Sequence, residues 1–461
     1  MKYIKYLFTL SLVIFINLTN TCTTFAAGAA ALNQSYISDL TDEAMNWPEA
    51  PEIIGEAAIV MEATTGTILY NKNMNEAMYP ASVTKLVTAL LVLENCKLDE
   101  MVLFSNNAVF SIPRNSSHIA INPGETLSVE HCLYGLLLAS ANEVANALAE
   151  HVSGTTEEFA KLMTSRMEEL GAINTHFANA NGLHDDNHYT TCYDIATLCR
   201  TLIQNKAFLE INKTSSYVIP PTNLQPLKRP INTTHKLIRS GSQHYDGCFG
   251  GKTGHTDIAG NTLVTFAERN GMTLICVVMK SDATHIYSDT TSLLDYGFSH
   301  FKKVDISKEE SSFNFLEDSL STDTDFFHNP NPSLVLANND YVYLPANVNF
   351  SDLEYTLIAK NSDTVFADIV YTYKGHFVGK TTLNTIKNTD NVISSDIIRT
   401  EDIPEDNITI LIRPIHFIII GIVIIIIILC IVYLKVTEVK RMRKRAIRRR
   451  NHMQRKRNKL L

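Results

Sequence analysis

An α/β (α+β) domain, a small all-β domain after it and one C-terminal transmembrane helix are predicted by three features of the sequence. Short apolar strands stand at both ends of residues 45–302 with apolar helices between them, as expected of a sheet that joins the two ends of one domain. Residues 333–405 turn to short alternating runs such as Tyr341-Val342-Tyr343-Leu344 and Ile369-Val370-Tyr371-Thr372-Tyr373, which read as strands. Phe417–Leu434 is an uninterrupted apolar stretch of 18 residues, about 27 Å as a helix and long enough to span a bilayer.

Taken in order, Met1, Lys2 and Lys5 precede an apolar run from Leu7 to Leu18 and the small residues Ala26-Ala27-Gly28-Ala29. A basic start, a short apolar core and a small-x-small exit describe a signal peptide over 1–29, cleaved after Ala26 or Ala29. Ala57–Met61 and Thr67–Tyr70 flank the turn Thr64-Thr65-Gly66 and predict a hairpin. Ser82–Leu93 is a buried helix by its nearly continuous apolar content. Val129–Ser140 and Glu143–His151 form two helices broken at Ser140-Ala141-Asn142, and Asp194–Ile203 forms another. Asn261–Arg269 and Met272–Lys280 read as strands and Thr290–Phe298 as a closing helix. Residues 303–332, acidic and ending in Asn329-Pro330-Asn331-Pro332, read as a linker.

Charge separates the chain into unlike parts. The whole carries −8, but residues 435–461 hold 13 Lys/Arg against the single acid Glu438. Beside a spanning helix, such a tail stays cytoplasmic and leaves everything before it outside, which implies a single-pass cell-membrane protein with its folded domains extracellular. The remaining, strongly acidic ectodomain argues against nucleic acid or an anionic membrane surface as a partner. Of the eight cysteines, Cys22 leaves with the signal and Cys430 lies in the span. The other six sit in apolar patterns as small hydrophobes rather than a disulfide framework, and Cys192 with Cys199 lacks the companions of a metal site.

Three motifs carry chemistry. In Ser82-Val83-Thr84-Lys85 a lysine stands one helical turn from a serine hydroxyl. Burial lowers a lysine pKa and frees its lone pair to serve as the base a serine nucleophile needs, although Ser82 could equally be a helix cap. Ser140-Ala141-Asn142 puts a hydroxyl and an amide on a break, where proton relay and carbonyl binding compete with plain capping. Lys252-Thr253-Gly254, followed by His255, follows Gly250-Gly251. It lacks the first glycine and the long following helix of a phosphate loop, and as a strand beside glycines it lets a substrate backbone approach and its carboxylate meet a cation.

Together, Ser-x-x-Lys, Ser-x-Asn and Lys-Thr-Gly in this order are a specific signature. The chain resembles the low-molecular-mass penicillin-binding proteins, the D-alanyl-D-alanine carboxypeptidases of serine peptidase family S11 that include the sporulation-type enzymes. Tyr79-Pro80-Ala81, Asn181-Gly182-Leu183 and His188-Tyr189-Thr190-Thr191 add to the likeness over roughly residues 45–300, with Val342–Ala346 a weaker patch beyond. The resemblance implies a β-lactamase/transpeptidase-like fold and acyl transfer at peptidoglycan pentapeptides ending in D-Ala-D-Ala, with β-lactam antibiotics stalling as acyl-enzymes. It makes Ser82 the nucleophile and Lys85 the base, and gives proton relay and acyl-peptide binding to Ser140 and Asn142. Lys252 and Thr253 meet the substrate carboxylate, and the N–H groups of Ser82 and His255, beside Gly254, form the oxyanion site. It calls for no metal and no organic cofactor. Two departures stand out: Lys280–His285 supplies no Arg where the family places one, and a full span replaces the usual amphipathic anchor. A serine β-lactamase and a non-catalytic β-lactam sensor are the alternatives. The first needs a glutamate aimed at a deacylating water, and the second a cytoplasmic domain larger than the short basic tail.

Overall fold

The computed structural model of the chain describes residues 48–310, 333–360, 362 and 364–386. The expected leader, spanning helix and basic tail lie outside these residues. Among the described residues no helix is long and apolar enough to cross a membrane.

The catalytic domain starts with the hairpin β1 (Ala57–Glu62) and β2 (Ile68–Lys72). A 3-10 turn over Ala81–Thr84 then runs straight into α1 (Lys85–Asn95). There follow β3 (Met101–Leu103), α2 (Asn106–Phe110), β4 (Thr126–Ser128), α3 (Val129–Leu137), α4 (Asn142–Ser153) and α5 (Thr156–Glu169). After these come α6 (Cys192–Leu202), α7 (Lys206–Asn212), β5 (Ser216–Ile219) and β6 (Arg229–Asn232). Strands β7 (Cys248–Thr256), β8 (Gly260–Arg269) and β9 (Met272–Ser281) return to the sheet, and α8 (Ile286–His300) closes the domain.

The central antiparallel sheet has the order β2-β1-β9-β8-β7. Thus β1 meets the end of the domain, with Ala57 opposite Met279 and Glu62 opposite Leu274, as the apolar strands at both ends predict. One face packs on the helices through Ile59, Val264, Val277 and Met279, the other on α8 through Ala58, Val60, Cys276 and Val278. Helix α1 is the hub of the helical layer: Leu86, Val87, Ala89, Leu90, Leu91 and Val92 are all at most 3% exposed. Each large side chain buried this way contributes about 1.5–3 kcal/mol. The breaks fall where the backbone demands them: Ala81 (φ 49) opens the 3-10 turn and Ser140 (φ 60) separates α3 from α4, both in the left-handed region.

The β domain differs in its start. The linker expected at 303–332 does not begin there, because β10 (Phe301–Asp305) follows α8 directly and pairs antiparallel with β12 (Tyr341–Pro345). A short helix, α9 (Ile306–Glu309), continues it. The charged composition of this stretch conceals a strand. Phe301 and Ile306 are buried, and Glu310 accepts the Tyr371 hydroxyl at 2.8 Å, so these charges decorate an edge strand and its cap. With β11 (Ser333–Leu336), β13 (Glu354–Ala359), β14 (Val365–Tyr373) and β15 (His376–Ile386), the sheet runs β10-β12-β15-β14-β13, with β11 on β15. The expected all-β module is therefore seen up to Ile386, and its remainder to 405 lies outside the described residues. Val342, Leu344, Ile369 and Val378 join the same apolar cluster as α8 and the outer sheet face.

Candidate active site

The site assembles where the 3-10 turn, the α3–α4 break and β7 converge. In a 3-10 helix residues i and i+3 eclipse, so Ser82 and Lys85 line up across the turn, and Lys85 Nζ lies 2.9 Å from Ser82 Oγ. The same amine donates to Asn142 Oδ1 at 2.6 Å and to the Asn181 carbonyl at 2.5 Å. Lys85 is wholly buried while Ser82 remains partly exposed. Burial pushes the Lys85 pKa well below the usual lysine value, the nearby Lys252 charge pushes the same way, and Glu143 opposes them.

Asn142 opens α4, but its side chain is not spent on capping. The cap position is Ala141, which makes no side-chain cap bond, and the amide oxygen goes to Lys85 instead. Ser140 does not cap either: it accepts from Lys252 Nζ at 2.9 Å. Lys252, 1% exposed, also donates to the Thr253 carbonyl at 2.8 Å, and burial holds its pKa down to about 7. Thus the structure brings Ser82, Lys85 and Asn142 into one bonded group and Ser140 and Lys252 into a second.

Strand β7 is the sheet's edge, and an edge strand offers unpaired backbone groups that an extended peptide can join. Thr253 is partly exposed on it, with its hydroxyl 2.6 Å from that of Thr234. Gly254 passes so close to the turn that a Cβ there would come 2.9 Å from Ser82 N and 2.2 Å from Thr262 Oγ1. The next residue, His255, is exposed, with Nδ1 3.2 Å from the Gly260 carbonyl.

Several supporting residues had no role in the sequence reading. His188, 2% exposed, has Nδ1 accepting from Ala178 N–H at 3.1 Å, which leaves Nε2–H to donate to Thr84 Oγ1 at 2.7 Å. Thr84 in turn donates to the Ala81 carbonyl at 2.8 Å, so this chain clamps the turn carrying Ser82. Burial depresses the His188 pKa to about 3 and keeps the ring neutral in that role. Asn212 makes reciprocal bonds to the backbone of Gly251, 2.6 Å from its N–H and 3.0 Å to its carbonyl, and so fixes β7 just before Lys252. The motif signal could have flagged His188, which lies in a quoted match; Thr234 and Asn212 belong to no motif. Lys280, where the family pattern leads toward an Arg, is spent on Glu56 at 2.8 Å, and Asp282 pairs with His285 at 2.8 Å.

The layered sheet, the central buried helix and a serine–lysine pair facing an edge strand define a transpeptidase-like α/β catalytic domain, followed by an antiparallel β domain. The model of the D-alanyl-D-alanine carboxypeptidase family, peptidase S11, matches residues 44–283, and the chain belongs to that family. The D-alanyl-D-alanine carboxypeptidase DacF of Bacillus subtilis is 34% identical over 254 residues, 54% of this chain and 63% of its own length. DacA of Escherichia coli K12 is 29% identical over 63% of this chain and 72% of its own. Matches therefore span somewhat under two thirds of some of these relatives. Among solved structures, the Streptomyces K15 DD-transpeptidase aligns with a TM-score of 0.51 at 30% identity, covering 54% of this chain and 99% of that one. DacD of Francisella tularensis aligns at 0.56 and 25% identity, covering 74% and 95%, a span that takes in the β domain as well.

Proposed function

We propose that this protein is a membrane-anchored serine carboxypeptidase that removes the terminal D-alanine from peptidoglycan stem peptides and is acylated by β-lactams. One observation carries the reading. Two of the three polar partners of Lys85 Nζ, Asn142 Oδ1 and the Asn181 carbonyl, are pure acceptors that claim an N–H each. The third partner is Ser82 Oγ, 2.9 Å away. When burial strips the amine of its proton, the lone pair can only face Ser82, which is the geometry a general base requires.

Ser82 Oγ then attacks the carbonyl carbon between the two D-alanines, and its proton passes to Lys85 Nζ. The oxyanion is held by the N–H groups of Ser82 and His255. Collapse breaks the C–N bond, and the leaving amine takes, by way of Ser140, the proton that Lys85 received, which leaves Lys85 neutral again. Water attacks the resulting ester with Lys85 again receiving a proton, which it returns to Ser82 Oγ as the ester C–O bond breaks. Lys252 and Thr253 receive the substrate carboxylate, whose negative charge favours the protonated form of an amine held near neutrality. A β-lactam follows the same path, but its leaving nitrogen stays tethered. No step calls on a metal or an organic cofactor.

The localisation rests on sequence: a cleaved leader over 1–29, a span over 417–434 and a cytoplasmic tail over 435–461, with both folded domains outside. The test of the central claim is mass spectrometry of the protein with and without penicillin. One acyl group is expected, lost in Ser82→Ala, and labelling that survives that substitution refutes the nucleophile.

A further inference from the structure

The two helices that meet at the active site meet again at their other ends. Helix α1 begins at Lys85 and gives way at Cys96, which is extended (φ −127, ψ 151). Helix α4 begins at Asn142 and carries His151 in its last turn. Between them, in the turn after α1, stands Glu100. The Cys96 thiol, a Glu100 carboxylate oxygen and a His151 ring nitrogen all lie within 4.8 Å of one another. Glu100 is already oriented: Oε1 accepts the Lys97 N–H at 2.8 Å, and Oε2 faces His151 Nε2 at 3.2 Å.

A surface His–Glu pair joins two of these groups, and the third completes a three-ligand cluster. Cys96 is a free thiol, partly buried on the rim of the helical core, with its sulfur beside the Glu100 carboxylate and the His151 ring. The helices add a reason: Cys96 caps the C-terminus of α1 and His151 stands in the last turn of α4, and helix C-termini favour positive charge. Thiolate, imidazole and carboxylate are the ligand set of zinc.

We propose that Cys96, Glu100 and His151 bind one zinc-class divalent ion, with the fourth position open to water. Binding forms the metal–sulfur bond as the thiol proton leaves to solvent. The ion lies at the far end of α1, about 16 Å of helix from Lys85, so it is a clasp and not part of the acylation chemistry. It fastens the C-terminal ends of the two helices whose N-terminal ends are joined by the Lys85–Asn142 bond.

The full-length protein in detergent, stripped with chelator, is titrated with zinc chloride, and cobalt chloride serves as the optical probe. One tight zinc per chain is expected, with a thiolate-to-cobalt charge-transfer absorption and a higher melting temperature. Cys96→Ser and His151→Gln should each weaken zinc by more than about 100-fold, the upper end for changes to mere supporting residues, and Cys96→Ser should lose the absorption. Melting in chelator, matched to wild type, shows that each variant folds; Glu100→Gln, nearly isosteric, replaces any that does not. Absence of tight zinc in the wild type, equal affinity in the variants, or a cobalt complex without the thiolate band overturns the proposal.

Discussion

Replacing Asn142 by Asp exchanges one amide group for an isosteric oxygen and sets a charge against Lys85. The wild-type contact is 2.6 Å, and both side chains are buried, Lys85 at 0% and Asn142 at 4% exposure. Two unit charges at 2.6 Å attract by about 6 kcal/mol at an effective dielectric of 20. Desolvation of the new carboxylate takes back much of this, and a remainder of roughly 3 kcal/mol raises the Lys85 pKa by about two units. The sign is unambiguous, since an adjacent anion favours the ammonium form. At any pH below the wild-type Lys85 pKa, the neutral fraction and with it the acylation rate fall on the order of 100-fold. The deficit narrows as pH rises and Lys85 deprotonates in the variant too. The measurement is the second-order acylation rate with a fluorescent penicillin across pH, read against melting temperature. An Asn142→Asp protein that folds, yet acylates at the wild-type rate with an unshifted pH limb, refutes Lys85 as the base.

Three further outcomes are expected. Lys85→Arg keeps the charge but cannot give up a proton, so acylation falls by about 10²–10⁴-fold; stopped-flow labelling at near wild-type rate would reverse that assignment. Gly182→Ala places a Cβ 1.9 Å from the Ala81 carbonyl and 3.0 Å from Ser82 N at φ +84. Backbone strain of about 1–3 kcal/mol should lower the melting temperature, and the displaced turn should cut acylation; calorimetry showing no loss of stability would exclude the clash. A chain ending at residue 410 should be released from membranes and still cleave soluble D-Ala-D-Ala peptides, whereas a folded product without that activity contradicts the separation of anchor from chemistry.

Much of the site was legible because its parts are local. Ser82 with Lys85, and Lys252 with Thr253, are near neighbours in sequence, and order plus spacing identified them. The bonds that unite them were not, because Lys85 to Asn181 and Lys252 to Ser140 depend on how distant segments pack. Asn212 and Thr234 act through side-chain contacts to β7 that no periodicity announces. In the fold, apolar runs revealed β1, β8, β9 and α1. Helix α5 escaped notice, although Thr155 accepts from Glu158 N–H in a plain N-terminal cap. β10 was lost because Lys302, Lys303 and Asp305 outnumber its inward residues, and an edge strand needs only one buried face.

The pairing of β1 with β9 has a consequence for the order in which the molecule comes into being. Ala57 finds Met279 more than two hundred positions later, and closing a loop of that length costs about 5 kcal/mol in chain entropy before any contact repays it. β1 has only β2 beside it until β9 arrives, and a lone two-stranded hairpin is marginal in water. The turn bearing Ser82 leans on the same late segment, through Thr262 Oγ1 on the Pro80 carbonyl at 2.9 Å. A chain made N-terminus first therefore carries Ser82 for most of its synthesis before the segments that frame the serine's turn exist.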